Sequence, residues 1–279
     1  MRLCVHSNMI LVPRPLRLFV LALVFLVVLV KVSTLQAALI HRWSFNEGGT
    51  NLNVLDSVGT AHGTVVVLNN PDYTRGAGYV RLAGNTWTLG DYISMPSGMI
   101  SGLTNVTLEI WAAPNAIQNW SRIFDFGPAA GGGAANDFYL SFCRATSLQV
   151  QRLEHDPTPY FRIDSSVTTT TSNRYHYVVT WSKTGGPSGG GLAAWYRDGV
   201  LIGSVDTGTR TVTNVNDTTM WLGRSHFTSD NTASADYHEL RIYTHAMSSN
   251  EVVFSGANGP DNYIAPPTQA SALGITTNA

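Results

Sequence analysis

Val106-Thr107-Leu108-Glu109-Ile110-Trp111-Ala112-Ala113 decides the fold. Side chains alternate between the two faces of a strand, so Val106, Leu108, Ile110 and Ala112 share one apolar face. The same period recurs on both sides of this stretch. Upstream lie Leu39 to Phe45, Tyr79 to Leu82 and Asp91 to Met95. Downstream come Arg122 to Phe126, Phe138 to Cys143, Leu148 to Leu153, Tyr160 to Ile163, Tyr175 to Trp181, Leu192 to Arg197, Leu201 to Val205, Thr219 to Leu222 and Tyr237 to Tyr243. Short strands at this spacing, with no long amphipathic helix between them, predict an all-β sandwich or barrel.

The turns agree. Asp198-Gly199 between two apolar runs predicts a two-residue hairpin turn with positive φ. Gly131-Gly132-Gly133 and the stretch from Gly185 to Gly191 read as loops between strands. Ser248 with Glu251 three residues on reads as a capping box for one short helix through Val252, Val253 and Phe254, with Gly256 as its stop.

Residues 1–38 are different material. Arg2, Arg14 and Arg17 precede thirteen apolar residues, Leu18 to Val30, and small residues Ala37-Ala38 follow. That is the layout of a cleaved signal peptide, and thirteen residues fall short of the roughly 20 that a membrane span needs. The expectation is an exported chain, secreted or held at the cell surface, with no membrane span after cleavage. A second organisational boundary is expected at 258: residues 259–279 turn rich in Pro, Ala and Thr (Ala265-Pro266-Pro267-Thr268) and read as a linker. The domain proper is then 39–258.

Charge excludes one class of partner. Of the 17 basic residues, Arg2, Arg14, Arg17 and Lys31 precede Ala38, which leaves 13 against 18 acidic residues, a net of −5. Lys183 is the only lysine left. Nucleic acid binding requires clustered Lys and Arg to release counterions, so no nucleic-acid partner is expected. Cys143 is the only cysteine left once Cys4 departs with the leader. It reads as a small buried apolar residue, and no internal disulfide is available.

Four segments in order carry a family likeness: His41-Arg42-Trp43-Ser44-Phe45-Asn46 with Asp56-Ser57-Val58-Gly59 and His62-Gly63; Val106 to Trp111; Tyr175 to Trp181 with Trp195-Tyr196-Arg197-Asp198-Gly199; and Leu222-Gly223-Arg224-Ser225 with Tyr237 to Tyr243. Together, over about Leu39 to Asn258, they resemble the LamG-like jellyroll domain of the concanavalin A-like lectin and glucanase superfamily. The resemblance implies two antiparallel sheets packed face to face in a jellyroll, with ligands and calcium on loops or on the concave face. It does not imply one function.

The chemistry points away from catalysis. Glycosidases need two placed carboxylates. Glu occurs only at 47, 109, 154, 239 and 251, never in the E-x-D-x-x-E spacing that would set such groups on one strand face. Glu109 and Glu239 read as strand carboxylates paired with an arginine such as Arg241 or Arg224. There is no nucleophile elbow, no phosphate-binding loop, and no His pair at zinc spacing. Calcium is the metal expected, from hard oxygens at Asn46, Glu47 and Asp56; a plain Asx-turn at Asp56 is the alternative.

Sugars stack on rings. Trp43, Trp111, Trp181 and Trp221 sit in apolar strands and read as core. Trp87 and Trp120 sit in polar contexts and are the candidate platform for an extracellular glycan or protein ligand. The leading expectation is therefore a secreted, non-catalytic recognition or adhesion module. A structural spacer in a larger surface protein is the alternative, and a divergent glycoside-active enzyme the second.

Overall fold

The computed structural model describes residues 38–68, 72–128, 137–144, 150–156 and 161–264. Residues 1–37 of the expected 1–38 signal peptide, the triple glycine at 131–133 and the Pro-rich stretch from Ala265 lie outside the described residues. The strands are β1 (Leu39–Trp43), β2 (Asn53–Val54), β3 (Gly63–Val66), β4 (Tyr73–Gly76), β5 (Tyr79–Leu82), β6 (Tyr92–Met95), β7 (Val106–Pro114), β8 (Arg122–Gly127), β9 (Phe138–Ser141), β10 (Arg152–His155), β11 (Phe161–Asp164), β12 (Tyr175–Gly185), β13 (Gly191–Arg197), β14 (Val200–Gly208), β15 (Thr219–Leu222) and β16 (Ala235–Tyr243). One α-helix, α1 (Ser249–Asn258), follows the last strand. No helix among the described residues is long and apolar enough to cross a membrane.

The strands form two antiparallel sheets. The first runs β14-β13-β12-β7-β16-β5-β4, with β1 also paired to β16; the second runs β11-β10-β9-β8-β15-β6-β3-β2. This is the two-sheet sandwich that the family resemblance implied, one of the two architectures that the alternation left open. β7 lies at the centre of the first sheet, and its Val106, Leu108, Ile110 and Ala112 point into the common core. They meet Tyr177, Val179 and Trp181 from β12 and Phe124, Phe126, Phe138 and Leu140 from the second sheet. Burying one such side chain contributes about 1.5–3 kcal/mol, which explains why a core of this size needs no disulfide. Cys143 is buried, as expected.

The hairpin at Asp198-Gly199 has positive φ at both residues, 53° and 79°, so the strands turn with the handedness their twist favours. Ser248 caps α1 in a full capping box with Glu251. The helix runs two residues past Gly256; the glycine with positive φ that follows it is Gly259. The chain stays packed just beyond: Pro260 is buried, and its carbonyl accepts from Arg42 and Arg241. The strands that the sequence reading did not pick out are β2, β3 and β4, two to four residues each and without clear alternation.

Two tryptophans expected in the core are elsewhere. Trp43 and Trp181 are in it. Trp111 and Trp221 are 3% and 5% exposed, yet they alternate away from the core onto the outer faces of the first and second sheet. They are buried because each outer face carries a further layer of chain. Alternation fixes the side of a sheet, not whether that side meets water.

Candidate functional site

The two outer faces differ in what covers them. On the first sheet, Glu109 lies directly across from Arg241 on β16, and His176 directly across from Trp111. His176 stacks on Trp111 with ring centroids 4.3 Å apart and pairs through Nε2 with Glu109 Oε1 at 2.8 Å. Arg241 binds Glu109 at 3.3 Å and also pairs with Glu239, which takes a two-pronged contact from Arg42 at 2.8 and 3.0 Å. Tyr243 donates to Glu109 at 2.8 Å. Burial would raise the Glu109 carboxyl, but His176 and Arg241 outweigh it and hold the group below its ordinary value. Helix α1 closes this face: Ser255 Oγ meets Arg241, and the Gly259 and Pro260 carbonyls accept from it. The glutamates thus pair with arginine as expected, and Arg42 joins Arg241 in place of Arg224.

On the second sheet, strand register builds a row of polar and aromatic groups across β6, β15, β8, β9 and β10. Ser94 lies across from Trp221, Trp221 from Asp125, Asp125 from Tyr139, and Tyr139 from Glu154. A bulge between Arg122 and Phe124 lets Arg122 face outward with Asp125 although both flank core residues. Above the row sit loop residues. His226 lies flat on Trp221, centroids 4.4 Å and planes 7° apart, and pairs with Asp125 at 2.9 Å. Arg122 binds Asp125 and Asp230, each at 3.1 Å, and its guanidinium lies 4.1 Å from the Tyr139 ring centroid. Arg152 binds Glu154 at 2.9 Å and Asp164 at 2.7 Å. Burial would raise Asp164, but Arg152 holds it below its usual range.

Trp87 and Trp120 stand toward opposite ends of this arrangement, and both are partly exposed. Trp87 lies over Arg224, whose guanidinium carbon is 3.7 Å from its ring centroid, and its indole N–H donates to the Ser225 carbonyl at 2.7 Å. Trp120 has the guanidinium groups of Arg122 and Arg152 at 5.6 and 5.5 Å. It sits at φ +57°, a left-handed conformation that a bulky residue rarely adopts. Trp87 thus lies over Arg224, and Trp120 beside Arg122 and Arg152. Sequence reading missed their partners: Arg122, Asp125, Tyr139, Arg152, Trp221, Arg224 and His226. The one signal present was Leu222-Gly223-Arg224-Ser225, where Gly223 at φ +80° turns the chain off β15 and aims Arg224 under Trp87.

The loop expected to hold calcium has other occupants. Asp56 Oδ1 accepts from the backbone N–H of Arg42, Val58 and Gly59, and Oδ2 from Ala61 N–H and the His41 ring. Burial alone would raise Asp56; these donors pull it down to about 2. Glu47 accepts from Leu55 N–H at 2.7 Å and Arg75 at 3.2 Å, and Asn46 is exposed. The Asp56 lone pairs are thus taken by protein donors in the pattern of an Asx-turn, while each Glu47 oxygen carries a single donor. Among the described residues, the group that could hold a metal is Asp125, Asp137 and His226, whose ligand atoms lie within 4.8 Å of one another. Its mixed oxygen and nitrogen set suits a transition-series ion better than calcium. In the described geometry both His226 ring nitrogens already face Asp125 and Thr219.

A model of the Concanavalin A-like lectin/glucanases superfamily, of the laminin G type, matches residues 88–253. The chain belongs to this superfamily. No curated protein matches it in sequence. Among solved structures, this concanavalin A-like chain is similar to domain 4 of AbnA, an extracellular GH43 arabinanase of Geobacillus stearothermophilus in complex with arabinotriose: 18% identity, TM-score 0.54, 78% of this chain and 98% of that one. It is similar to Trypanosoma rangeli sialidase at 16% identity and TM-score 0.57, over 77% of this chain and 32% of the sialidase. It is also similar to the binding domain of a botulinum neurotoxin in complex with rat synaptotagmin II, at 13% identity and TM-score 0.56, over 78% of this chain and 51% of that one. The chain thus spans about a third of the sialidase and about half of the toxin domain. At these identities the likeness carries the fold.

Proposed function

We propose that the chain is an exported, non-catalytic recognition module that binds an extracellular glycan on the outer face of the second sheet. The observation that carries this is the placement of Trp87 and Trp120. Both are partly exposed, both are backed by guanidinium groups, and both rise from one row of polar side chains. A pyranose needs a ring face for its CH groups and polar neighbours for its hydroxyls, and this face supplies both. The AbnA domain, a comparably sized sandwich in complex with arabinotriose, supports the reading.

Three carboxylates of this face support a non-catalytic role. Asp125, Glu154 and Asp164 each accept from a guanidinium. A hydrolase needs one carboxyl kept as an acid and a second left open as base or nucleophile. The test is a titration of the domain with neutral and acidic oligosaccharides, with Trp87→Ala and Trp120→Ala alongside. Binding to wild type that weakens about tenfold in either variant supports the reading. Binding to no sugar at all removes it and leaves the structural-spacer role.

A further inference from the structure

Arg224 is the feature of this face that the row of ion pairs does not absorb. It is 4% exposed. Its Nε and Nη1 have no hydrogen-bond partner, and among the described residues no carboxylate pairs with it. What surrounds it is aromatic: Trp87 at 3.7 Å, Tyr92 at 4.5 Å and Trp221 at 5.3 Å from its guanidinium carbon. Ring faces attract a cation, but they do not satisfy its N–H donors. A buried charge without an anion is costly to keep, and burial here pulls the guanidinium below its ordinary pKa. Arg122, Arg152 and Arg241, buried alike, each have carboxylates. Arg224 is therefore an electropositive donor set with its counter-anion missing, roofed by a partly exposed tryptophan.

We infer that Arg224 is the anion subsite of the glycan-binding face and that the ligand carries a carboxylate, as a sugar acid does. The carboxylate would meet the open guanidinium donors while the sugar ring packs on Trp87, which must tilt to admit it. Charge-assisted bonds of this kind are about twice as strong as neutral ones, and a planar guanidinium suits a carboxylate. The inference rests on the proposed glycan-binding role, and the experiment separates the two.

Sodium glucuronate and methyl glucoside are titrated into the labelled domain while the Arg224 Nε–H and Trp87 Nε1–H signals are followed. Oligosaccharides ending in a uronic acid are then compared with their carboxyl-reduced forms. Saturable shifts at both reporters with glucuronate, weaker by about tenfold or more with the glucoside, are expected. Arg224→Gln should abolish the acid preference, so that acidic and carboxyl-reduced sugars bind alike. Arg224→Lys, which keeps the charge, should retain part of the preference and guards against a folding defect in the first variant. Equal affinity for acidic and reduced sugars, with Trp87 still required, overturns the anion subsite and leaves the glycan-binding face standing. Glucuronate shifts without any oligosaccharide binding keep the anion subsite and overturn the wider glycan reading. No saturable shift at Arg224 with any carboxylate overturns the inference outright.

Discussion

The outer face of the first sheet and the outer face of the second begin from the same material. Each has a tryptophan turned away from the core, a histidine stacked on it, a carboxylate across the strand and an arginine among aromatic rings. On the first sheet, Arg241 meets Glu109 and Glu239, and a capped helix seals the cluster. On the second, Arg224 meets only rings among the described residues, loops provide the cover, and Trp87 and Trp120 reach solvent. A buried charge network that is closed on itself fixes one packing of helix on sheet. One that stops short of satisfaction has donors left for something else.

The largest expected effect tests the closed face. Glu109→Leu leaves Arg241 and His176 without their shared anion, and breaking a buried pair from one side costs about 3–5 kcal/mol. Chemical denaturation should show that loss, with no change in glycan affinity. Arg224→Met on the open face makes the contrast. It removes a buried charge that has no carboxylate partner among the described residues, keeps the apolar contacts, and should lower stability by no more than about 1 kcal/mol or raise it. A loss as large as that of Glu109→Leu would contradict the difference drawn between the faces.

Between the faces lies a group that titrates. His155 is buried against Phe138, Phe161 and Trp181, and burial lowers it from 6.5 to about 4. From pH 6.5 down to 4 the unfolded chain holds a proton there that the folded chain does not. Stability is thus complete above the unfolded value and falls with pH, by about 3 kcal/mol across that window. His155→Phe should flatten this limb in melts run from pH 7 to 4. Asp56, held at about 2 by its backbone donors, adds a further loss of about 2 kcal/mol between pH 4 and 2. The smallest effect belongs to the helix that seals the first face. Ser248→Ala removes the cap from Glu251 N–H and should cost about 1 kcal/mol.

The all-β class was legible because alternation is local. Val106, Leu108, Ile110 and Ala112 declare their face without knowledge of their neighbours, and Asp198-Gly199 and Ser248 with Glu251 declare turn and cap by short-range chemistry. Trp87 and Trp120 were legible as rings in polar company. Their surroundings were not. Trp221, Asp125, Tyr139 and Glu154 form a row only when β15, β8, β9 and β10 are set side by side, and no single stretch encodes that register. Trp111 and Trp221 misled for the same reason. A residue on the outer face of a covered sheet has the burial of a core residue, and the cover comes from distant parts of the chain.

One measurement separates the two faces most directly. The indole N–H signals of Trp87 and Trp120 are followed together with that of Trp111 while an acidic oligosaccharide is added. The account predicts saturable shifts at Trp87 and Trp120 with Trp111 unmoved. Shifts confined to Trp111, or none at Trp87 and Trp120 at saturating sugar, would contradict it.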